Sequence, residues 1–318
     1  MAECCYLLKD KEIVLERMRL SGRLMAVAVG DTCGSPWEFS PYKDLDLNGL
    51  REVMSFEYKE GHGKFGDITG TPLMKHRNPM AIKCPVIPNY TDDTVCTFAL
   101  AEAILKGEDL AENLRARCLE DPVAGYGHMF YKWLQTPQLG AYNSYGNGSA
   151  MRCSIAGWLA DSASEAEEMA EKTAEITHNH PEAIKGARCT AHMLWMFADG
   201  AEKDAIKKAW DFYSKYRDVK YEGIQPVYRF DVTCEGSVPV AMKCFEESTS
   251  FEDCILKCIK TGGDVDTLGA IIAPIAYAYY KDVPDYMVRY VEKRLPDWMV
   301  MVSNELEDVL KRKGKAEI

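Results

Sequence analysis

Apolar residues recur at steps of three and four along most of this chain. In 182–198 (EAIKGARCTAHMLWMFA), Ile184, Ala187, Ala191, Leu194, Trp195 and Ala198 fall on one stripe, the spacing of a helix that buries a single face. The same spacing predicts helices over 95–106, 165–176, 201–215, 251–260 and 297–312. Start and stop signals agree. Ser164 is followed three residues on by Glu167, and Ser250 by Asp253, the arrangement in which a hydroxyl and a carboxylate satisfy the free N–H groups of a first turn. Gly107 closes VCTFALAEAILK, where the chain needs a left-handed residue to leave a helix. Period-two alternation is scarce and no strand–helix–strand rhythm emerges, so the fold class is all-α.

No repeat, low-complexity tract or Pro/Ser-rich linker divides the sequence, so residues 1–318 are expected to form one domain, with 1–21 an N-terminal extension and 312–318 a frayed, charged tail. Segment 40–90 is the least helical stretch. Its Gly61, Gly63, Gly66, Gly70, Pro72, Pro79, Pro85 and Pro88 predict a long irregular excursion, and such loops in compact domains are often functional.

The chain of 318 residues carries 38 Lys and Arg against 49 Asp and Glu, a net charge of −11. A phosphate backbone needs a basic face to grip it, so nucleic-acid binding is not expected. The longest uncharged apolar run, Thr267–Tyr280, falls short of the ~20 residues that span a bilayer. Lys9, Asp10, Lys11 and Glu12 stand where a secretion signal would place its apolar core. The 12 cysteines form no C-x-x-C pair, and most sit in apolar company, such as Cys96 in VCTFAL and Cys189 in ARCTAHML. That reads as buried, reduced thiols in a cytoplasmic protein. Cys254 and Cys258, one helical turn apart, have core spacing.

The candidate chemistry is acidic. Thr91-Asp92-Asp93-Thr94 and Gly262-Gly263-Asp264-Val265-Asp266-Thr267 each stand where a loop turns into a helix. A helix N-terminus favours an anionic side chain by ~0.3–1 kcal/mol, which accounts for a single capping aspartate. Paired acids with a hydroxyl at both places also suit hard divalent cations, if the two clusters converge. Two separate solvated caps would use the same residues. Gly146-Asn147-Gly148-Ser149-Ala150-Met151-Arg152 is a glycine-rich turn entering a helix, either a plain tight turn or a cradle of N–H groups for a pyrophosphate. Thr177-His178-Asn179-His180-Pro181 lacks the further His or Cys cluster that zinc requires, so a helix cap or a ligand hydrogen bond is the expectation.

These motifs, in this order, resemble the ADP-ribosylglycohydrolase family, which includes the dinitrogenase reductase-activating glycohydrolases. The resemblance runs from about residue 22 to about residue 282. It opens with Gly30-Asp31-Thr32-Cys33-Gly34-Ser35-Pro36-Trp37-Glu38 and adds Gly236-Ser237-Val238-Pro239 to the four stretches already quoted. It implies an all-α orthogonal bundle with a binuclear Mg²⁺ or Mn²⁺ centre at helix N-termini. Carried over by position, Thr91, Asp92, Asp93, Asp264, Asp266 and Thr267 are the implied metal ligands, with Asp266 the bridge. Gly146, Asn147, Gly148, Ser149 and Met151 are implied to line an ADP-ribose pocket, and His178 to contact the diphosphate or ribose. Glu38 resembles a glutamate on a loop that closes over the metals, or else makes a surface salt bridge. Asp31 supports the site from behind. Arg152 is either a structural salt-bridge partner or a phosphate contact. Tyr142 and Tyr145 could stack on adenine.

The implied function is metal-dependent hydrolysis of the glycosidic bond in ADP-ribosylated protein side chains or related conjugates, releasing ADP-ribose. The two cations would anchor the ribose and activate the attacking water, with Asp92, Asp93, Glu38 or Asp266 in catalytic roles. A non-catalytic ADP-ribose-binding or crystallin-like structural member is the alternative. Departures from the family pattern, namely APIAYAYY with Pro274 inside the last motif's helix, Cys33 and Trp37 in the opening loop, and the 40–90 segment, bear on substrate preference. A phosphatase reading of Asp264-Val265-Asp266-Thr267 needs an apolar strand before it, and CIKTGG is not one.

Overall fold

Helix follows helix through the computed structural model, which describes residues 22–39, 42–58, 70–76 and 87–315. The first are α1 (Gly22–Gly34), α2 (Leu47–Met54), α3 (Pro72–Lys75), α4 (Asp92–Lys106), α5 (Leu110–Glu120) and α6 (His128–Gln135). Next come α7 (Gly148–Met151), α8 (Ser154–Leu159), α9 (Ala163–Glu175), α10 (Pro181–Ala198), α11 (Ile206–Ala209) and α12 (Tyr221–Ile224). The chain ends with α13 (Cys234–Glu246), α14 (Phe251–Thr261), α15 (Val265–Tyr280), α16 (Asp285–Glu292) and α17 (Asp297–Arg312). The strand-like pairing among the described residues is a single antiparallel bridge between Gly146 and Thr233. The fold is all-α. None of the described helices is long and apolar enough to cross a membrane.

Two helices form the axis of the core. From Arg23 to Gly34 every residue of α1 is buried, and so is every residue of α15 from Val265 to Ala278. A helix apolar on all sides belongs in an interior rather than at a surface. The two cross where Gly30 meets Gly269 backbone to backbone, the closest approach that a missing Cβ permits. α4, α10, α13 and α14 pack around this pair. A separate cluster of small residues (Ala156, Ala160, Ala166, Ala170, Ala174, Ala187 and Ala191 with Cys153) joins α8, α9 and α10 at close range.

Local signals explain most boundaries. Thr91 caps α4, and Gly107 ends it in the left-handed region at φ 68°. Ser250 caps α14 by accepting the Asp253 N–H, as its spacing predicts. The start of α9 differs from expectation: Ser162, not Ser164, accepts the Glu165 N–H, while the Ser164 hydroxyl turns to Glu168. Helix over 201–215 is also a misreading. Only the 3₁₀ turn Lys203–Ala205 and α11 form there; past α11 the backbone tightens into turns, Asp211 N–H to the Lys208 carbonyl and Phe212 N–H to the Ala209 carbonyl, and the Arg217 guanidinium donates to the Trp210 carbonyl.

Part of 40–90 is more regular than its composition suggests, since Asp46 caps the eight-residue α2. The described part of the tail makes contacts with the end of α8. Lys313 donates to the Leu159 carbonyl at 2.8 Å, and Lys315 reaches the carbonyls of Trp158, Leu159 and Ala160 at the end of α8. Residues 1–21 with Cys4 and Cys5, residues 316–318, and Gly61, Gly63, Gly66, Pro79, Cys84 and Pro85 lie outside the described residues. The nine described cysteines are all buried, free thiols.

Candidate active site

The two acidic helix starts meet. Asp31, in the last turn of α1, accepts the Thr91 N–H at 2.8 Å and the Thr94 N–H at 3.1 Å, and its oxygens also bond the Thr91 and Thr94 hydroxyls at 2.9 and 2.5 Å. One carboxylate thus satisfies free donors at the first turn of α4 from a different helix. The Thr91 hydroxyl also lies 3.1 Å from an Asp93 carboxylate oxygen, and the Asp92 N–H donates to the Ala124 carbonyl at 3.0 Å.

On the other side, Gly262 and Gly263 take φ values of 78° and 88°, a turn that a side chain would strain. The turn delivers Asp264 and Asp266 to the head of α15. Asn147 then ties three motifs together: its amide nitrogen donates to Asp264 at 2.7 Å and to the Ser237 hydroxyl at 2.9 Å. Gly34 permits the closure, because a Cβ there would fall 2.5 Å from the Asp266 backbone.

Two carboxylate groups result. One oxygen each from Asp31, Asp93 and Asp266 lie within 4.8 Å of one another, and so do oxygens from Glu38, Asp264 and Asp266. Asp266 belongs to both. Burial, followed by the neighbouring carboxylates, holds Asp93 and Asp266 well above the ordinary carboxylate range. Burial also pushes Asp31 up to about 6 against its threonine hydrogen bonds, and raises Asp264. Asp93 Oδ1 is buried with no hydrogen-bond partner. So many buried acids cannot all ionise unaided, and an unsatisfied carboxylate oxygen among them is a place for a hard cation rather than for more protein.

The centre opens into a cavity of about 530 Å³ lined by Glu38, Thr91, Asp92, Asp93, Asp264, Asp266 and Thr267, and further along by Tyr142, Gly146, Asn147, Gly148, Met151, Arg152 and His178. His178 is buried, with Nδ1 2.7 Å from the Thr177 hydroxyl. Its Nε2 faces the glycine turn, where a Cβ on Gly148 would come within 3.0 Å of it. Burial, then the nearby Arg152 charge, lowers the His178 pKa well below its usual value, so the imidazole is neutral. Among the described residues Arg152 forms no ion pair with a carboxylate; it donates to the Thr173 carbonyl and the Thr177 hydroxyl.

Some sequence expectations do not survive. Ser149 does not line the cavity: it is fully buried, with its hydroxyl on the Gly146 and Ala183 carbonyls. Tyr142 is on the wall against His178, whereas the exposed Tyr145 packs on His180 outside it. Asp31 stands inside the acidic cluster as well as behind it. Val123, Ala124, Gly125, Gly127, Met129, Phe130, Phe230 and Val232 also line the cavity, and nothing in their local sequence marks them.

A buried acidic centre at the heads of crossing helices, opening beside a glycine turn and a neutral histidine, is the arrangement that the family resemblance implies. The comparisons agree, and the chain belongs to the ADP-ribosylglycohydrolase family, whose match covers residues 14–316. It is 24% identical over 328 residues to the human ADP-ribosylhydrolase ARH3, covering 82% of this chain and 85% of that one. It is 27% identical over 327 residues to the Xenopus tropicalis ARH3 (82% and 87% covered). The Rhodospirillum rubrum ADP-ribosyl-[dinitrogen reductase] glycohydrolase is 24% identical over 285 residues, with 84% and 87% covered. Among solved structures, an ADP-ribosylglycohydrolase-related protein complex shares the fold, with a TM-score of 0.67, 23% identity, and 92% and 98% of the two chains covered.

Proposed function

We propose that this chain cleaves the glycosidic bond of ADP-ribosylated protein side chains or related ADP-ribosyl conjugates and releases ADP-ribose, using two divalent cations, Mg²⁺ or Mn²⁺. The observation that carries the reading is the position of Asp266, common to two carboxylate groups at the floor of a cavity that Gly146, Asn147 and Gly148 also line. Thr91, Asp92, Asp93, Asp264, Asp266 and Thr267 would hold the ions. When bound, such ions supply Lewis-acid charge that fixes ribose hydroxyls and makes water a better nucleophile.

The rest falls to the chain's own groups. Asn147 keeps the Asp264 carboxylate turned into the centre. The neutral His178, aligned by Thr177, can donate a hydrogen bond to a phosphate oxygen, or donate to or accept from a ribose hydroxyl, without adding charge. Met151, Phe130 and Tyr142 give the wall an apolar surface that limits water near the reacting carbon. In the hydrolysis itself the bond from the anomeric carbon to the leaving atom breaks, a water oxygen takes its place, and one proton passes to the leaving atom. Glu38, only partly buried beside Asp264 and Asp266, is the carboxylate of the centre best placed to exchange that proton; Asp92 and Asp93 are the other candidates.

The test is release of ADP-ribose from an ADP-ribosylated protein by the wild type and by Asp266→Ala, each with chelator and after adding back Mg²⁺ or Mn²⁺. Turnover lost with the variant and with chelator, and restored to the wild type by either ion, is expected. Turnover indifferent to both treatments defeats the metal reading, and ADP-ribose binding by calorimetry without any turnover favours a non-catalytic role.

A further inference from the structure

Arg152, Thr177 and His178 are buried together beside the glycine turn, and the protons between them can be counted. A guanidinium only donates. Arg152 Nη2 gives one hydrogen bond to the Thr173 carbonyl at 3.0 Å and one to the Thr177 hydroxyl oxygen at 2.8 Å. Thr177 keeps a proton of its own, and His178 Nδ1 lies 2.7 Å away. If Nδ1 also carried a proton, the Thr177 oxygen would accept twice and its proton would need another acceptor. The Tyr142 phenol, which Thr177 also influences, is the competitor, and its ring-conjugated oxygen is a poorer acceptor than an imidazole lone pair. Buried donors left without acceptors are costly, so the Thr177 proton belongs on Nδ1 and the ring proton on Nε2. Among the described residues Nε2 has no hydrogen-bond partner. It faces the glycine turn, where Cβ atoms on Gly146 and Gly148 would come within 3.4 and 3.0 Å of it.

We propose that Arg152 and Thr177 are positioning residues that hold His178 as the Nε2–H tautomer, so that the ring offers only a donor to an acceptor oxygen of the ligand's diphosphate. The proposal rests on the hydrolase reading above and deepens it, because it names what sets the binding chemistry of this wall. A phosphate oxygen accepts and does not donate, so a ring turned to show a lone pair there would repel it. Every link donates in one direction, from guanidinium to hydroxyl to imidazole to ligand, and aligned hydrogen bonds polarise one another. Arg152 has no carboxylate partner among the described residues, so its charge acts along this chain of donors toward an anion.

The ¹H–¹⁵N NMR pattern of the histidine rings in the full chain reads the tautomer, with His178 assigned from the signals missing in His178→Ala. The wild type should show a proton on Nε2 and a bare Nδ1. Thr177→Val removes the hydroxyl at nearly constant shape, with Thr177→Ala as the second variant should the first not fold. Either should lose the single tautomer and bind ADP-ribose about tenfold more weakly by calorimetry, with a matching rise in KM and little change in kcat. Thr177→Ser should restore the ring pattern, the affinity and KM. A wild-type ring protonated on Nδ1, or on both nitrogens, overturns the relay. So does a hydroxyl-free variant that keeps the wild-type ring pattern and affinity, even where it melts at a lower temperature, since that would be a structural role alone. A wild type that neither binds ADP-ribose nor releases it from an ADP-ribosylated protein defeats the hydrolase reading, whereas the ring pattern judges the relay by itself.

Discussion

Gly30 and Gly269 oppose each other so closely that a Cβ on either would lie 2.2–2.3 Å from the other's carbonyl oxygen. Asp31 is the next residue along α1, and Asp266 lies one turn before Gly269 on α15. The crossing therefore sets the separation of the two carboxylates. Neither contact is with the movable end of a side chain; both are with backbone, so a methyl group can be admitted only by moving the helices apart.

Gly269→Ala tests this relationship. Overpacking of a rigid core typically costs ~1–3 kcal/mol, and backbone-on-backbone contact belongs at the upper end. A fall in the thermal midpoint is expected, together with a loss of turnover larger than the unfolded fraction explains. The measurement is a melt followed by circular dichroism alongside activity at a temperature where the variant is folded. A variant that melts and turns over like the wild type would show that the crossing is looser than described.

Asp266→Asn separates the cost of the acidic centre from its use. The wild-type carboxyl is buried among Asp31, Asp93, Asp264 and Glu38, whose charges oppose its ionisation. Removing that charge relieves like-charge repulsion, so the metal-free variant should melt no lower than the metal-free wild type. It should also lose turnover by at least about 10³-fold, since functional sites trade stability for chemistry. The thermal midpoint of the wild type should rise with Mg²⁺ or Mn²⁺ by mass action, and that of the variant should not. Differential scanning fluorimetry with chelator and with each ion reads all of this; a wild type unmoved by both ions counts against the centre.

Which parts of this were visible in the sequence follows from how local each signal is. The stripe in 182–198, the helical spacing of 95–106 closed by Gly107, and the cap at Ser250 depend on residues within one or two turns, and they reappear as α10, α4 and α14. Asp92-Asp93 and Asp264-Asp266 could be read as helix starts for the same reason. Their convergence could not; only the family resemblance suggested it, because it depends on Gly30, Gly34 and Gly269 removing the bulk between α1 and α15. Ser162 displaced Ser164 by a choice between two equivalent hydroxyls. In 201–215 the apolar spacing is there, but the backbone leaves the helix at Ala209 through i→i+3 turns that the spacing does not signal. Ser149 was misplaced since a four-residue helix points its side chains by tertiary contact, here toward Ala183. The Val123–Phe130 wall carries no periodic or motif signal at all.

His178 gives a prediction about pH. Burial, then the Arg152 charge, holds the His178 pKa well below its usual value, which favours the neutral imidazole, the more so as pH rises. The pH–rate profile between 6 and 8 should therefore show no step that disappears in His178→Ala. The variant should raise KM by about tenfold with a smaller change in kcat, the mark of a lost ligand hydrogen bond near a charged group. A step near pH 6.5 present in the wild type and absent from the variant would mean that the imidazole titrates and that its burial has been misjudged.

Glu102 gives the last prediction, away from the cavity. On α4 it accepts from Arg117 at 2.6 and 2.7 Å, from Lys106 at 2.6 Å and from Asn113 at 3.2 Å, which holds α5 against α4. Its hydrogen bonds with Arg117 are the main cause that lowers its pKa to about 2. A carboxylate depressed in the folded state binds fewer protons there than in the unfolded chain. Its contribution is thus fully present above the unfolded value near 4.5 and fades as pH falls toward 2. The size is on the order of 2–3 kcal/mol. Urea unfolding of the wild type and Glu102→Gln should show that gap unchanged from pH 7 to pH 5 and shrinking at pH 4 and below. A gap that widens as the solution becomes more acidic, or one already absent at pH 7, would show that the Arg117 pair does not join the two helices in this way.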